Sequence, residues 1–316
     1  MQNNENGAAL FSVVILHYQC ENYLKEAINS VLQQQYPRVE LLISDDATPG
    51  FAVEEWEEYI AKNASSSLKR FEILTRPKNV GTVRSLNEVL HRASGEWVVC
   101  FAGDDALYDA TVLSRFAQEL PMLSEDGLCI AAQCWMMDAC LEAKLMDFIP
   151  PERAIPLNKE GSRAQFCALM ETPFYGVGSS AFRLRDFEQY GWFDENYRLV
   201  EDWSYFLAQT RKGRRVVYCD FVALKHRSGG VSHAEAGPPS QIFWNDMLTI
   251  KEREILPFLH RQKDVHQQQK ILTEYVADSK AYQAVYGTRS TISHWRLMAA
   301  NPSLYLHKLL WRFMSK

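Results

Sequence analysis

Apolar positions along the first 120 residues switch repeatedly between two periods. Phe11 to Leu16 (FSVVIL) is a continuous apolar run rich in β-branched residues, the pattern of a strand buried on both faces. In ENYLKEAINSVLQQQYP the residues Leu24, Ala27, Ile28, Val31 and Leu32 recur at three and four, which predicts an amphipathic helix, and Pro37 stops it. Val39 to Ser44 is a second strand running into Asp45-Asp46-Ala-Thr-Pro-Gly, a turn-forming cluster. A long polar helix leads to the strand FEILT. Gly81 then precedes a helix with Leu86, Val89, Leu90 and Ala93 on one face. EWVVCFA is the fourth strand and exits through Gly103-Asp104-Asp105. Strand-then-helix units in this succession predict an α/β fold, a doubly wound and mostly parallel sheet with helices on both faces.

Downstream, LCIAAQCWMM and RRVVYCDFVALKHR read as strands, and EDWSYFLAQTRKG reads as a helix ended by Gly213. Asp147 to Gly161, with Pro150, Pro151 and Pro156, reads as a loop. After the Gly/Ser/Pro-rich stretch 228–240 the pattern is helical. This shift predicts a boundary between an α/β domain, 1–239, and a C-terminal helical region, 240–316.

In open α/β sheets ligands bind beyond the carboxyl ends of the strands, where both aspartate pairs fall. Asp45-Asp46 and Asp104-Asp105 would make that crevice negative, a poor place for a bare phosphate. Mn²⁺ or Mg²⁺ resolves the conflict, because these ions take hard oxygen ligands from one or two carboxylates and from substrate phosphates. The remaining carboxylates can accept hydrogen bonds from a ribose or a base, so a nucleoside diphosphate is a natural ligand. Taken singly, either pair also suits a turn or a helix cap. Arg84, three residues past Gly81, is placed to reach a donor phosphate or to lie on a helix surface. His226 and His233 are disfavoured as metal ligands, since hard carboxylate ligands are already at hand.

The segments FSVVILHYQCENYLKEAINSVLQQQYPRVELLISDDAT, KNVGTVRSLNEVLHRASGEWVVCFAGDD and VEDWSYFLA resemble, in order and spacing, the family-2 glycosyltransferases of the GT-A, nucleotide-diphospho-sugar fold. The likeness covers about residues 10–235. It implies a transferase moving a sugar from a nucleotide diphosphate, with UDP the leading nucleotide, to a saccharide or lipid-linked saccharide with inversion. By position, Asp46 resembles the base-recognising residue with Asp45 beside it, Asp104 the ribose contact and Asp105 the metal ligand. Ala102 stands where the family's Asp-x-Asp region commonly has its first aspartate. Glu201-Asp202 resembles the family's Glu-Asp motif, and the resemblance implies that Asp202 is the catalytic base. Lys225 and Arg227 resemble the basic loop that offsets the charge of the leaving diphosphate. The resemblance implies a role in bacterial surface polysaccharide or glycolipid synthesis.

Charge and cysteine usage narrow the remaining classes. A formal net charge of -5 argues against nucleic acid as a partner. The seven cysteines include no Cys-x-x-Cys pair and read as reduced core residues. The amino terminus lacks the basic-then-apolar order of a signal peptide and no apolar run is long enough to span a bilayer, so a cytoplasmic location is expected. From Ser279 onward there are six basic residues and no Asp or Glu. The final segment SLYLHKLLWRFMSK has an apolar stripe beside Lys308, Arg312 and Lys316. Two readings fit it: peripheral contact with the inner face of an anionic membrane, or docking on the protein's own core or on a second copy in a homodimer. An NAD-dependent oxidoreductase is disfavoured, because HYQCEN replaces the glycine-rich turn after the first strand. A non-catalytic nucleotide-sugar-binding protein is the alternative to the enzyme.

Overall fold

The computed structural model describes residues 7–148, 150–229 and 238–289. The expected strand and helix units appear in order: β1 (Phe11–His17), α1 (Glu21–Leu32), β2 (Val39–Asp45), α2 (Val53–Asn63), β3 (Leu68–Leu74), α3 (Thr82–Leu90) and β4 (Trp97–Ala102). These strands are mutually parallel, with β1 between β2 and β4. His17 therefore lies level with Asp45, and Leu16 with Ala102, so both aspartate pairs leave the same edge of the sheet. Alternate residues fill two cores. Val13, Ile15, Leu41 and Ile43 pack with Leu24 and Ile28 of α1, whereas Val14 and Leu42 pack with Leu86 and Val89 of α3.

The second half continues as β5 (Ala106–Leu107), α4 (Val112–Glu119), β6 (Gly127–Met137), β7 (Lys144–Asp147), α5 (Pro151–Glu160), α6 (Ser162–Glu171), β8 (Ser180–Arg183), α7 (Leu184–Tyr190), α8 (Asp202–Arg211) and β9 (Arg215–Arg227). The sheet order is β3-β2-β1-β4-β8-β6-β9-β5, with β7 paired to β6. It is mixed but mostly parallel: β8 runs antiparallel to β4 and β6, and β9 parallel to β6. The fold class expected from the periodicity is the one observed.

The proline-rich segment differs from expectation, because Pro151–Glu160 is helical rather than a loop. Pro151 occupies the first turn, where a missing N–H costs nothing. The helix is held from outside. Asn158 exchanges two hydrogen bonds with the Tyr218 backbone, at 2.8 and 2.9 Å, and Gln165 of α6 does the same with Val216, at 2.7 and 2.9 Å. Two side-chain amides thereby stand in for a neighbouring strand along β9.

α9 (Gln241–Ile250) and α10 (Val265–Tyr286) follow. Their Leu248, Ile250, Ile271, Tyr275 and Tyr282 join the core that also holds Phe166 of α6 and Phe206 of α8. Among the described residues no helix is long and apolar enough to cross a membrane. The segment predicted as a basic amphipathic helix, 303–316, lies outside the described residues, as does His233.

Candidate active site

Asp104 and Asp105 follow β4 in a tight turn, closed by Asp105 N–H donating to the Ala102 carbonyl at 3.0 Å. The two-residue β5 then pairs with Leu224 and Lys225 of β9, which brings the end of β9 against Asp105. The buried Asp105 carboxylate accepts from the Arg227 backbone N–H at 2.9 Å and lies 3.0 and 3.1 Å from His226 Nδ1. Burial opposes charge on His226, yet the carboxylates of Asp105, Asp104 and Asp202 outweigh it and raise its pKa above the ordinary histidine value. Asp104 is pushed up by burial and then by the charge of Asp105.

Asp202 opens α8 and accepts from the Trp203 N–H at 2.5 Å, and Glu201 occupies the capping position. Both residues are half-buried, and burial dominates the electrostatics of both carboxyls. Asp202 is raised by desolvation, against the Trp203 N–H and the field of His226. Glu201 is raised further, by desolvation and by Asp202 beside it. His226 thus sits within electrostatic reach of both acidic motifs, which are far apart in the chain, and joins them into one cluster.

The other sequence-predicted residues are placed differently. Asp45 holds its own turn, accepting from the Thr48 N–H with both oxygens, at 3.1 and 3.2 Å. Asp46 accepts from Val80 N–H at 2.9 Å and Gly81 N–H at 2.8 Å, so its carboxylate anchors the loop before α3. Arg84 does not turn toward the strand ends; it is exposed and pairs with Glu88 at 2.9 Å. Arg76 approaches the β2 exit instead, donating to Ser44 Oγ at 2.9 Å and the Asp45 carbonyl at 3.1 Å. Strand alternation places Lys225 and Arg227 on the opposite face from His226. Lys225 Nζ lies 5.6 Å from the Tyr108 ring centroid. The Arg227 guanidinium donates to the Asp104 carbonyl at 2.7 Å and Glu26 at 2.6 Å, and stacks on Tyr23. Arg227 therefore braces Asp104 from behind. Trp203, the residue after Asp202, is buried in the core with its indole N–H donating to the Leu169 carbonyl at 2.7 Å.

The profile of glycosyl transferase family 2 matches residues 12–191, more than half of the 316-residue chain. The chain belongs to glycosyl transferase family 2. Among relatives, EpsJ of Bacillus subtilis (strain 168), an uncharacterized glycosyltransferase, is 26% identical over 215 residues, 67% of this chain and 59% of that one. EpsE of the same organism, a glycosyltransferase by name, is 31% identical over 100 residues, 32% of this chain and 34% of that one. The matches thus span about three fifths and a third of those relatives. Among solved structures, residues 1-349 of S. aureus TarS in complex with UDP-GlcNAc superpose with a TM-score of 0.58 at 16% identity, over 88% of this chain and 74% of that one. The mannosyltransferase PcManGT from Pyrobaculum calidifontis, in complex with GDP-Man and Mn²⁺, gives 0.53 at 17% identity, over 98% and 84%. These likenesses establish the GT-A fold.

Within this family 2 fold, Asp104 and Asp105 offer carboxylate oxygens of the type a hard divalent cation takes, and both Asp105 oxygens face His226 Nδ1 in this structure. Asp104, Asp105 and Asp202 act on His226, and the pKa values of Asp104 and Asp202 are raised, first of all by burial. Among the described residues no three His, Cys, Asp or Glu side chains are disposed to hold a metal by themselves. Asp105, with Asp104 beside it, would hold the ion. Sequence alone weighs His226 only as a metal ligand; the signal for its contact with Asp105 lay in the parity of β9.

Proposed function

We propose that the protein is an inverting, Mn²⁺- or Mg²⁺-dependent glycosyltransferase. It moves a sugar from a nucleotide diphosphate, with UDP the first candidate, to a saccharide or lipid-linked saccharide acceptor. The observation carrying this reading is that His226, in contact with Asp105 at the end of β4, also feels the charges of Asp104 and of Asp202 at the start of α8. Asp202 is the general base. Its raised pKa brings it nearer the operating range for taking the acceptor hydroxyl's proton, while leaving it ionised at mildly alkaline pH. The acceptor oxygen attacks the anomeric carbon from the face opposite the diphosphate, so the configuration inverts. Asp104 receives the ribose hydroxyls, with its main chain held by Arg227. A bound cation at Asp105 would supply positive charge that offsets the departing diphosphate. Burial and the neighbouring Asp202 push the Glu201 pKa up, which favours its protonated form and limits repulsion against Asp202. The reaction belongs to surface polysaccharide or glycolipid synthesis in the cytoplasm, at the inner face of a membrane. A relative named for teichuronic acid biosynthesis, TuaG of Bacillus subtilis (strain 168), supports the polysaccharide part of this reading.

The test is calorimetric titration of nucleoside diphosphates with and without Mn²⁺, followed by transfer from the matching nucleotide sugars. Metal-dependent binding that Asp105→Ala removes, and transfer that Asp202→Asn removes without loss of binding, are expected. Binding of no nucleotide under either condition overturns the reading.

A further inference from the structure

The loop that delivers Glu201 and Asp202 has no regular structure of its own, so something outside it must set its position. Three consecutive backbone N–H groups, of Arg198, Leu199 and Val200, point at one oxygen of Asp246, at 2.8, 2.7 and 3.4 Å. Asp246 is buried in α9, 46 to 48 positions away in sequence. Successive N–H groups converging on one carboxylate form a charge-assisted nest, stronger than neutral hydrogen bonds. The other side of the loop meets the donor-side scaffold. Val83 N–H donates to the Arg198 carbonyl at 3.2 Å, and Arg198 Nη2 donates to Asn79 Oδ1 at 2.8 Å. α9 lies beyond residues 12–191, the part matched to family 2.

We infer that Asp246 is a positioning residue for Asp202, so that the C-terminal helices form a working part of the catalytic site. This rests on the transferase reading above. Without the Asp246 carboxylate the three N–H groups lose their shared acceptor, the 198–200 loop relaxes, and the start of α8 shifts relative to Asp104-Asp105. Displacement of a reacting group on the ångström scale lowers turnover by about a hundredfold.

The experiment measures nucleotide release from nucleotide sugars, nucleoside diphosphate affinity and amide hydrogen exchange for wild type, Asp246→Ala, Asp246→Asn and Glu254→Gln. Glu254 pairs with Arg211 at the far end of α8, at 2.6 Å, and serves as a control for general loosening. Asp246→Ala is expected to lower kcat by about 10- to 100-fold, with nucleotide affinity kept and faster exchange over 198–203. Asp246→Asn, which retains an acceptor oxygen, should recover part of the rate. Unchanged kcat per folded molecule in Asp246→Ala, or an equal loss in Glu254→Gln, overturns the inference and leaves the transferase reading intact. If wild type releases nucleotide from no donor, the transferase reading falls and this inference with it. If Asp246→Ala does not fold, the asparagine variant decides: wild-type kcat and wild-type exchange over 198–203 overturn the inference.

Discussion

Asp202→Asn is expected to abolish transfer while stabilising the fold at mildly alkaline pH. Asp202 is half-buried beside Glu201, and desolvation raises its pKa to about 6, above the usual aspartate range. An acid whose folded pKa exceeds its unfolded value contributes stability below the unfolded pKa, and loses it as pH rises through the folded one. Ionised Asp202 therefore works against folding once the pH exceeds that folded value. A tenfold displacement of the protonation equilibrium corresponds to about 1.4 kcal/mol. Glu201 beside it shares the shift, so about 1–2 kcal/mol is expected for Asp202 itself. Asparagine keeps the oxygen that accepts the Trp203 N–H, so its main effect is removal of charge. For a chain of this length that energy is a rise in Tm of roughly 1.5–3 °C at mildly alkaline pH, shrinking as pH falls toward the ordinary aspartate range. Thermal unfolding of wild type and variant from about pH 4.5 to about pH 8.5, a window that brackets the folded pKa, checks the linkage. Nucleotide release measured in parallel checks the catalytic part. A Tm difference that does not change with pH would refute the electrostatic argument, and wild-type turnover in the variant would refute the role of Asp202.

Other outcomes follow from individual contacts. Gly81 has φ of 91°, and a Cβ there would overlap Arg198 Cγ and lie 2.6 Å from the Arg198 carbonyl, so Gly81→Ala should destabilise by about 2–4 kcal/mol, read from urea unfolding. Glu40 is buried and bonded to Ser12, Ser94 and Arg70, which together hold its carboxyl below the usual range despite desolvation. Its stabilisation is present above the unfolded glutamate pKa and lost as pH falls through the folded one, so Glu40→Gln should flatten the acid limb of the Tm profile. Arg84→Ala, which breaks only an exposed ion pair with Glu88, should change nucleotide affinity far less than Arg76→Ala, as calorimetry would show.

Much of this protein was legible in its linear order. Runs such as FSVVIL and VELLIS declare strands buried on both faces, three-and-four spacing declares the helices between them, and the Asp pairs after strands leave one edge of the sheet together. Those features are local, and neighbouring residues impose them whatever the rest of the chain does. The roles of individual charged side chains were not local. Whether Lys225, His226 or Arg227 faces Asp105 depends on the register of β9 against β5 and β6, and a one-residue slip exchanges the faces. The Asp46 carboxylate is consumed by backbone N–H groups 34 and 35 positions away, and Asp246 reaches the 198–200 loop across a similar gap. Pro151–Glu160 becomes a helix because Asn158 and Gln165 find the open edge of β9, a gain that no window around the prolines contains. Periodicity determines which faces must be buried. Only the closed structure determines which partner each polar group meets there, because a hydrogen bond or ion pair requires positions that distant segments supply together.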